Sequence, residues 1–435
     1  MKFNSILAPA LLLSGSVLAQ DSVQQRYNLH FQATYVYQYK PEFSAKYSGP
    51  NSISTAEEKQ NSLTATLFAG VRLWKGAELY VNPEIAGGSG LTGAFGMAGS
   101  TNGETFRVGN PAPSLYLARA YYKQTIALGA KNDKVEDGQN QLEGSEPARF
   151  LRLYAGKFSL GDLFDNNEYA NAPRTQFLNW VLMNNGAWDY AANTRGYTAG
   201  AVVMLQWDKW CYKAAIAALP EVANGPKLNM DFGASRALNA EVDKTVTICK
   251  REGHIRVLGY LNTANMGSYK EALSYVGVPM PNIINTEKHG RTKQGFGINI
   301  DQELTENMGM FARVGWNDGK TETWAFTEVD RALSLGLSAS GKLWHRKDDN
   351  AGVAVVVNGL SEDHKAYLAK GGLGFQLGDG ALNYSNEAIA EVYYSYKPIH
   401  SSMWLSGDYQ FAMNPGYNKD RGPLHVLSLR VHVEI

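Results

Sequence analysis

Stretches of about ten residues in which apolar and polar side chains alternate recur along the chain, separated by turn residues. Residues 63–73 alternate in this way, residues 74–76 reverse the chain, and residues 77–82 alternate again. The last residues, 427–435, follow the same pattern. Because successive side chains of a β-strand point to opposite faces of a sheet, the pattern predicts an all-β protein whose strands have one apolar and one polar face.

The polar faces of these strands carry too many Arg, Lys, Asp and Glu side chains for a packed interior. A soluble β protein turns such a face to bulk water, whereas a membrane barrel turns it to a wet lumen and its apolar face to lipid. Alternation alone does not separate the two cases. Short turns alternating with long loops, and Tyr and Trp at strand ends, favour an outer-membrane barrel.

The first residues have the pattern of a secretion signal. Lys2 precedes an apolar run at residues 6–13, and small side chains at Val17 and Ala19 come before Gln20. We therefore predict a signal peptide over residues 1–19 and a single barrel domain over residues 20–435. The apolar run is too short to span a bilayer, and no later run reaches the roughly 18 apolar residues of a transmembrane helix.

Counting the alternating stretches predicts a transmembrane antiparallel β-barrel of about 16 strands with inward-folded extracellular loops, wide enough for an aqueous channel. The strands are expected near residues 29, 63, 77, 116, 150, 197, 211, 238, 255, 296, 309, 332, 352, 388, 403 and 425. Periplasmic turns are expected at residues 74–76, 305–308, 344–351 and 397–401. Extracellular loops are expected at residues 86–114, 158–195, 265–294, 361–387 and 413–424.

Composition narrows the function. The 435 residues include 41 Lys and Arg against 41 Asp and Glu, so no basic excess exists for binding nucleic acid. A hydrophobic content of 44% is too high for a disordered chain. The sequence has no His-Glu-x-x-His pair, no Gly-x-Ser-x-Gly motif and no cysteine cluster. We therefore expect no enzyme activity, no cofactor and no metal site.

The chain has two cysteines, Cys211 and Cys249. Both fall near the periplasmic ends of the seventh and eighth predicted strands. We expect a cross-strand disulfide between them, because neighbouring strands bring such positions within disulfide distance.

The longest predicted loop, residues 158–195, mixes Trp180 and Trp188 with several Asn and Arg side chains. Neutral sugars present flat C–H faces beside hydroxyls that donate and accept hydrogen bonds, and aromatic rings with amide and charged groups are their natural partners. The loop could therefore form a sugar-sized constriction. The alternative is that the tryptophans only pack the loop against the barrel wall.

Charged side chains also fall on the lumenal phase of the predicted strands. They could form opposed rows that set a transverse field and an ion preference, or salt bridges that stiffen the wall. These side chains are Arg72, Arg119, Arg152, Arg313, Glu78, Glu84, Glu303 and Glu391.

Several longer motifs resemble the carbohydrate-selective porins of the OprB family. They occupy residues 62–68, 72–80, 116–121, 156–167, 173–180, 186–190, 193–197, 316–319 and 414–423. The resemblance implies a 16-stranded porin for passive diffusion of glucose and similar neutral sugars, set in the lipid and lipopolysaccharide of a Gram-negative outer membrane. It leaves the oligomeric state open.

By the same resemblance, Arg72 and Arg119 would be cations of the pore eyelet, Glu84 an opposing acid, and Trp180 an aromatic platform for sugar. A general or ion-selective porin without a sugar site is the alternative interpretation.

Overall fold

The computed structural model describes most of the chain, namely residues 24–104, 111–275, 277, 279–399 and 401–435. The predicted signal peptide lies outside the described residues. The strands in chain order are β1 (Tyr27–Lys40), β2 (Glu58–Trp74), β3 (Ala77–Gly88), β4 (Ser114–Ala127), β5 (Asn132–Val135), β6 (Gly144–Pro147), β7 (Phe150–Phe158), β8 (Thr198–Trp207), β9 (Trp210–Ala217), β10 (Arg236–Ile248), β11 (Arg251–Met266), β12 (Lys288–Thr305), β13 (Met308–Asn317), β14 (Arg331–Ser340), β15 (Asn350–Gly359), β16 (Glu387–Tyr396), β17 (Met403–Met413) and β18 (Leu424–Glu434).

Sixteen of the strands described here form one closed antiparallel barrel, in which each strand pairs with its neighbours along the chain and β1 closes against β18. The two short strands β5 and β6 form a separate hairpin. Each of the sixteen stretches predicted from alternation lies in one barrel strand or next to its first residue. The predicted fold class is therefore confirmed.

The two faces of the wall follow the alternation. In β18, Leu427 and Leu429 point outward with 51% and 64% of their surface exposed, while Ser428 and Arg430 point inward and are buried. Closing the sheet removes edge strands, so every strand finds backbone partners on both sides. Apolar side chains thus face the lipid, and the polar side chains face the lumen.

The two ends of the barrel differ. At one end, here called the short-turn end, four of the seven connections between the described strands are two-residue turns, at residues 75–76, 208–209, 249–250 and 306–307. Outward-facing aromatic side chains surround this end, as in the interfacial girdles of membrane barrels. They include Trp74, Trp207, Trp210, Tyr212 and Tyr394.

At the other end, the long-loop end, the connections span residues 41–57, 89–113, 159–197, 218–235, 267–287, 318–330, 360–386 and 414–423. Three of these segments, 41–57, 218–235 and 318–330, were not among the predicted loops. The loops carry the helices α1 (Trp180–Met183), α2 (Tyr269–Ser274) and α3 (Glu362–Ala369). No helix in the described part of the chain is long and apolar enough to span a membrane.

The segment 159–197, here called the inner loop, folds into the barrel and is held there by charged side chains of the wall. Arg313 of β13 lies 3.1 Å from Asp165 and donates to the carbonyls of Ala170 and Leu182, each at 2.8 Å. Both members of this ion pair are 2% exposed. Glu391 of β16 accepts the backbone N–H groups of residues 178 and 179.

Further lumenal side chains complete the attachment. Arg430 of β18 donates to the carbonyls of Pro173 and Gln176, and Glu241 of β10 accepts the Asp165 amide at 2.7 Å. A buried polar group without a hydrogen bond is costly, so lumenal charges and loop backbone satisfy each other. Two of the predicted lumenal charges, Arg313 and Glu391, thus act as anchors of the inner loop together with Arg430 and Glu241.

The other lumenal charges predicted from the sequence lie in salt bridges. Their partnerships are Arg72 with Glu78, Glu84 with Arg174, Arg119 with Asp162, Arg152 with Glu146, and Glu303 with Arg251. The geometry of these charges fits the salt-bridge interpretation better than two opposed rows.

The expected disulfide between Cys211 and Cys249 is wrong, because both thiols are free. Cys211 faces Asp243 in the ladder between β9 and β10. Cys249 lies six residues beyond Asp243, in the turn where the β10–β11 hairpin extends past β9. At about 3.3 Å per residue the two cysteines are about 20 Å apart along the wall, well beyond disulfide reach.

We expect two reactive thiols per chain after denaturation without reductant. In the folded, detergent-extracted protein a maleimide should label Cys249, which is exposed, and spare Cys211, which is buried. Mass spectrometry counts the added groups. If the denatured, unreduced protein takes up no maleimide, the two cysteines form a disulfide after all.

Replacing Arg313 with Met should loosen the inner loop, because Asp165 then remains buried without its cation. Breaking a buried ion pair from one side costs about 3–5 kcal/mol. We expect a lower free energy of unfolding in urea and a larger, noisier single-channel conductance. Arg251→Met is the matched control, since Arg251 forms its salt bridge at the more exposed short-turn end. Equal effects of the two substitutions would contradict the anchoring role.

Candidate functional site

A cavity of about 440 Å³ lies inside the barrel. Strands β1 to β4 and β18 line it together with the inner loop, the segment 89–113 and the segment 318–330. Cavities of this size are typical of small-molecule sites. The side chains that supply its chemistry are Glu84, Glu104, Tyr116, Arg119, Asp162, Arg174, Trp180, Tyr190, Arg195, Tyr197 and Phe326.

An irregularity in the wall brings two of these side chains to one face. In the β3–β4 ladder Pro83 pairs with Leu117 and Asn82 pairs with Arg119, so Ala118 is an extra residue of β4. A bulge of this kind shifts the in-and-out phase of the strand. Tyr116 and Arg119, three residues apart, therefore both line the cavity. Proline is tolerated at such a position because it has no N–H to contribute to the ladder.

Arg119 forms a two-point salt bridge with Asp162 of the inner loop. Its Nε and Nη2 atoms donate to the two carboxylate oxygens at 2.7 and 2.6 Å. Its guanidinium also lies 5.2 Å from the centre of the Tyr197 ring. Asp162 is fixed in turn by the Ser159 amide at 3.2 Å. The two side chains are 14% and 34% exposed, and both line the cavity.

Glu84 is more enclosed than this pair. Its carboxylate accepts hydrogen bonds from the hydroxyls of Thr66 at 2.5 Å, Tyr197 at 3.1 Å and Tyr116. Arg174 of the inner loop lies 3.8 Å away. The three hydroxyls use most of the acceptor capacity of Glu84, so its chief effect is to orient the two tyrosines at the cavity wall.

Arg174 also binds Glu104, at 2.9 Å. Burial raises the pKa of Glu104, but the Arg174 guanidinium and the Thr64 hydroxyl together lower it by more than burial raises it. The pKa of Glu104 therefore lies below its ordinary value. Burial lowers the pKa of Arg174, and the carboxylates of Glu104 and Glu84 raise it above its ordinary value. Both groups are therefore charged at neutral pH.

Aromatic side chains form another part of the cavity wall. Trp180 stacks on Phe326 with ring centres 5.7 Å apart and planes 15° apart, and Tyr190 lies 4.5 Å from Phe326. The Trp180 indole donates to the Asn102 carbonyl at 2.8 Å, which fixes the ring. Asp189 accepts three successive backbone N–H groups, those of residues 324–326, and so holds Phe326 in place.

Three of the four predicted site residues, Glu84, Arg119 and Trp180, come together at this cavity. Arg72 does not, because it lies near the short-turn end of β2, where it binds Glu78 at 3.1 Å and the Gln25 carbonyl at 2.8 Å. Trp188, the second tryptophan of the inner loop, is 1% exposed and packs 6.4 Å from Phe164. One tryptophan therefore lines the cavity, and the other packs the loop.

Several lining residues were not predicted. Tyr190 and Tyr197 are the last residues of the motifs 186–190 and 193–197. Their place beside polar residues in these motifs is the sequence signal that could have identified them. Phe326 had no signal, since it belongs to a segment that sequence patterns did not identify as a loop. Among the described residues, no group of His, Cys, Asp and Glu side chains is arranged to hold a metal ion.

Solved structures share the fold of the chain. The high-pH structure of Pseudomonas putida OprB superposes with a TM-score of 0.71 at 17% sequence identity, covering 94% of each chain. The outer membrane channel DcaP of Acinetobacter baumannii has a TM-score of 0.52 at 10% identity, covering 94% of this chain and 97% of that one. No curated protein sequence matches the chain.

The family model described as "Carbohydrate-selective porin, OprB family" matches residues 51–435, which is most of the chain. Its members are channels of the Gram-negative outer membrane, in keeping with the apolar outer face and polar lumen of this barrel. The chain therefore belongs to the OprB family of carbohydrate-selective porins.

Proposed function

We propose that the cavity is the sugar-binding constriction of the channel, through which glucose and similar neutral sugars diffuse without energy coupling. The observation that carries the proposal is the combination of aromatic rings and paired charges around one cavity. Trp180, Tyr190 and Phe326 provide apolar surface for the C–H face of a pyranose ring. Arg119 and Asp162 provide a donor and an acceptor at the same cavity.

Sugar hydroxyls act as donor and acceptor at once, which suits a wall of paired ions. A hydroxyl that meets Arg119 and Asp162 can accept from the first and donate to the second. Hydrogen bonds to charged groups are stronger than those between neutral groups, so the pair orients a hydroxyl that meets it. Since Arg119 and Arg174 each face a carboxylate, the local field is largely compensated and favours neutral solutes over ions.

The same pairing keeps sugar binding weak. A solute must displace hydration from groups that already satisfy each other, so each new contact adds little net free energy. A channel needs this, because a tight site would hold its solute and stop conduction. Lipid and lipopolysaccharide are expected to contact only the apolar outer face.

Removing an aromatic contact should weaken sugar block of the open channel. Taking aromatic pair contacts of about 0.5–1.5 kcal/mol as a guide, Phe326→Ala should raise the glucose concentration for half-block about 2- to 12-fold. Planar-bilayer conductance titrated with glucose and maltose measures this. Phe296→Ala is the matched control, because Phe296 lies on the outward face of β12. Unchanged block in Phe326→Ala would remove this ring from the site.

The compensated charges predict a specific response of ion selectivity. Arg119→Gln leaves Asp162 without its cation, so the reversal potential in a salt gradient should shift toward cation preference. The double variant Arg119→Gln/Asp162→Asn should return the reversal potential close to that of the unaltered channel. Sugar block should be weaker in both variants. Strong ion preference and indifference to sugars in the unaltered channel would instead favour a general, ion-selective porin.

A further inference from the structure

One connection at the short-turn end differs from its neighbours. Four of the seven connections between the described strands there are two-residue turns, whereas residues 128–149, here called the connector, join β4 to β7 and contain the β5–β6 hairpin. Ordering a long segment costs conformational entropy, which its contacts with the wall must offset. Its contacts show where it is held.

Lumenal asparagines of the wall hold the tip of the connector. The Asn28 amide lies 2.8 Å from both the Asp137 carboxylate and the Gln141 carbonyl. Asn82, fully buried on β3, donates to the Asn140 side chain at 2.9 Å. Both asparagines point inward, since they alternate with outward apolar side chains. The tip is therefore attached to the inside of the wall.

Charged groups hold the rest of the connector. Glu146 lies 2.6 Å from Arg152 and 3.3 Å from Lys123, two inward-facing cations of β7 and β4. The backbone of Glu143 pairs with Gln25, and the Gln25 carbonyl in turn accepts from Arg72. Attachment at several points fixes the connector in the lumen. Arg72 therefore helps to hold the connector through Gln25.

The tip reaches the sugar cavity. Gln139, half-buried between Gly138 and Asn140, lines the same cavity as Arg119, Asp162 and Tyr190. The connector belongs to the short-turn end, whereas the inner loop enters from the long-loop end. The cavity is thus bounded by segments that enter the barrel from its two ends.

We propose that the connector tip is the floor of the sugar constriction, and that the Gln139 amide is a specificity-determining contact for the sugar on its way toward the short-turn end. The inference rests on the proposed function of the cavity. A primary amide donates and accepts, so it can hold a sugar hydroxyl as that solute leaves the Arg119–Asp162 pair. Selectivity then depends on two segments acting in series.

The experiment measures single-channel conductance and glucose block for two substitutions at one position. Gln139→Ala should raise the half-blocking glucose concentration about 2- to 12-fold, the range for loss of one hydrogen bond. Gln139→Trp should lower the conductance in salt alone, because a larger side chain narrows the pore. Gln141→Ala and Gln141→Trp are the matched controls, since Gln141 is exposed, bonds the Glu136 carbonyl and does not line the cavity.

The outcomes separate this inference from the proposed function. If glucose blocks the unaltered channel and blocks the Gln139→Ala channel equally well, the proposed Gln139 contact is overturned, while the proposed constriction stands. A Gln139→Trp channel that conducts like the Gln141→Trp control would show that the tip lies outside the pore and would overturn the floor. Absence of glucose block in the unaltered channel would overturn the proposed function together with the contact.

Discussion

The buried ion pair between Arg313 and Asp165 is the interaction on which the pore depends. Without such anchors, a barrel of sixteen strands encloses a wide aqueous channel with no selective contact. The pair itself adds little net stability, because desolvation offsets most of its attraction. Its effect is positional, because a charge buried in the wall is costly unless the inner loop supplies its partner, and the observed loop position supplies it.

The same logic extends outward from this pair. The anchored inner loop places Asp162 against Arg119 and presents Trp180 to the cavity, and Asp189 then fixes the segment that carries Phe326. Each step joins a charge to backbone or to an opposite charge, and none relies on apolar packing alone. The wall charges that hold the loop are almost fully buried, so hydrogen bonds from the loop must replace their hydration, and this requirement fixes the position of the loop.

Sequence patterns predicted the wall well and the site in part. Strand positions follow from a period of two, which lipid on one side and water on the other impose along every strand. The eyelet depends on features outside that period. The extra residue Ala118 changes the phase of β4. Arg72 lies near the short-turn end of β2, where an inward-facing side chain binds Glu78 and does not reach the cavity. The disulfide prediction failed for a similar reason, because Cys249 lies in a hairpin that extends past the strand of Cys211.

In the proposed site, weak sugar binding and preference for neutral solutes have a common physical cause, the pairing of the charges. An uncompensated cation in a narrow pore would attract anions strongly, and a row of them would turn the channel into an ion filter. Pairing Arg119 with Asp162 and Arg174 with Glu104 removes that net field and keeps strong local dipoles. A neutral polyhydroxylated solute can exchange hydrogen bonds with such dipoles one at a time, so passage needs no single large barrier. Under the proposed function, discrimination then arises from the shape of the aromatic wall, which admits a flat ring face and offers little to hydrated ions.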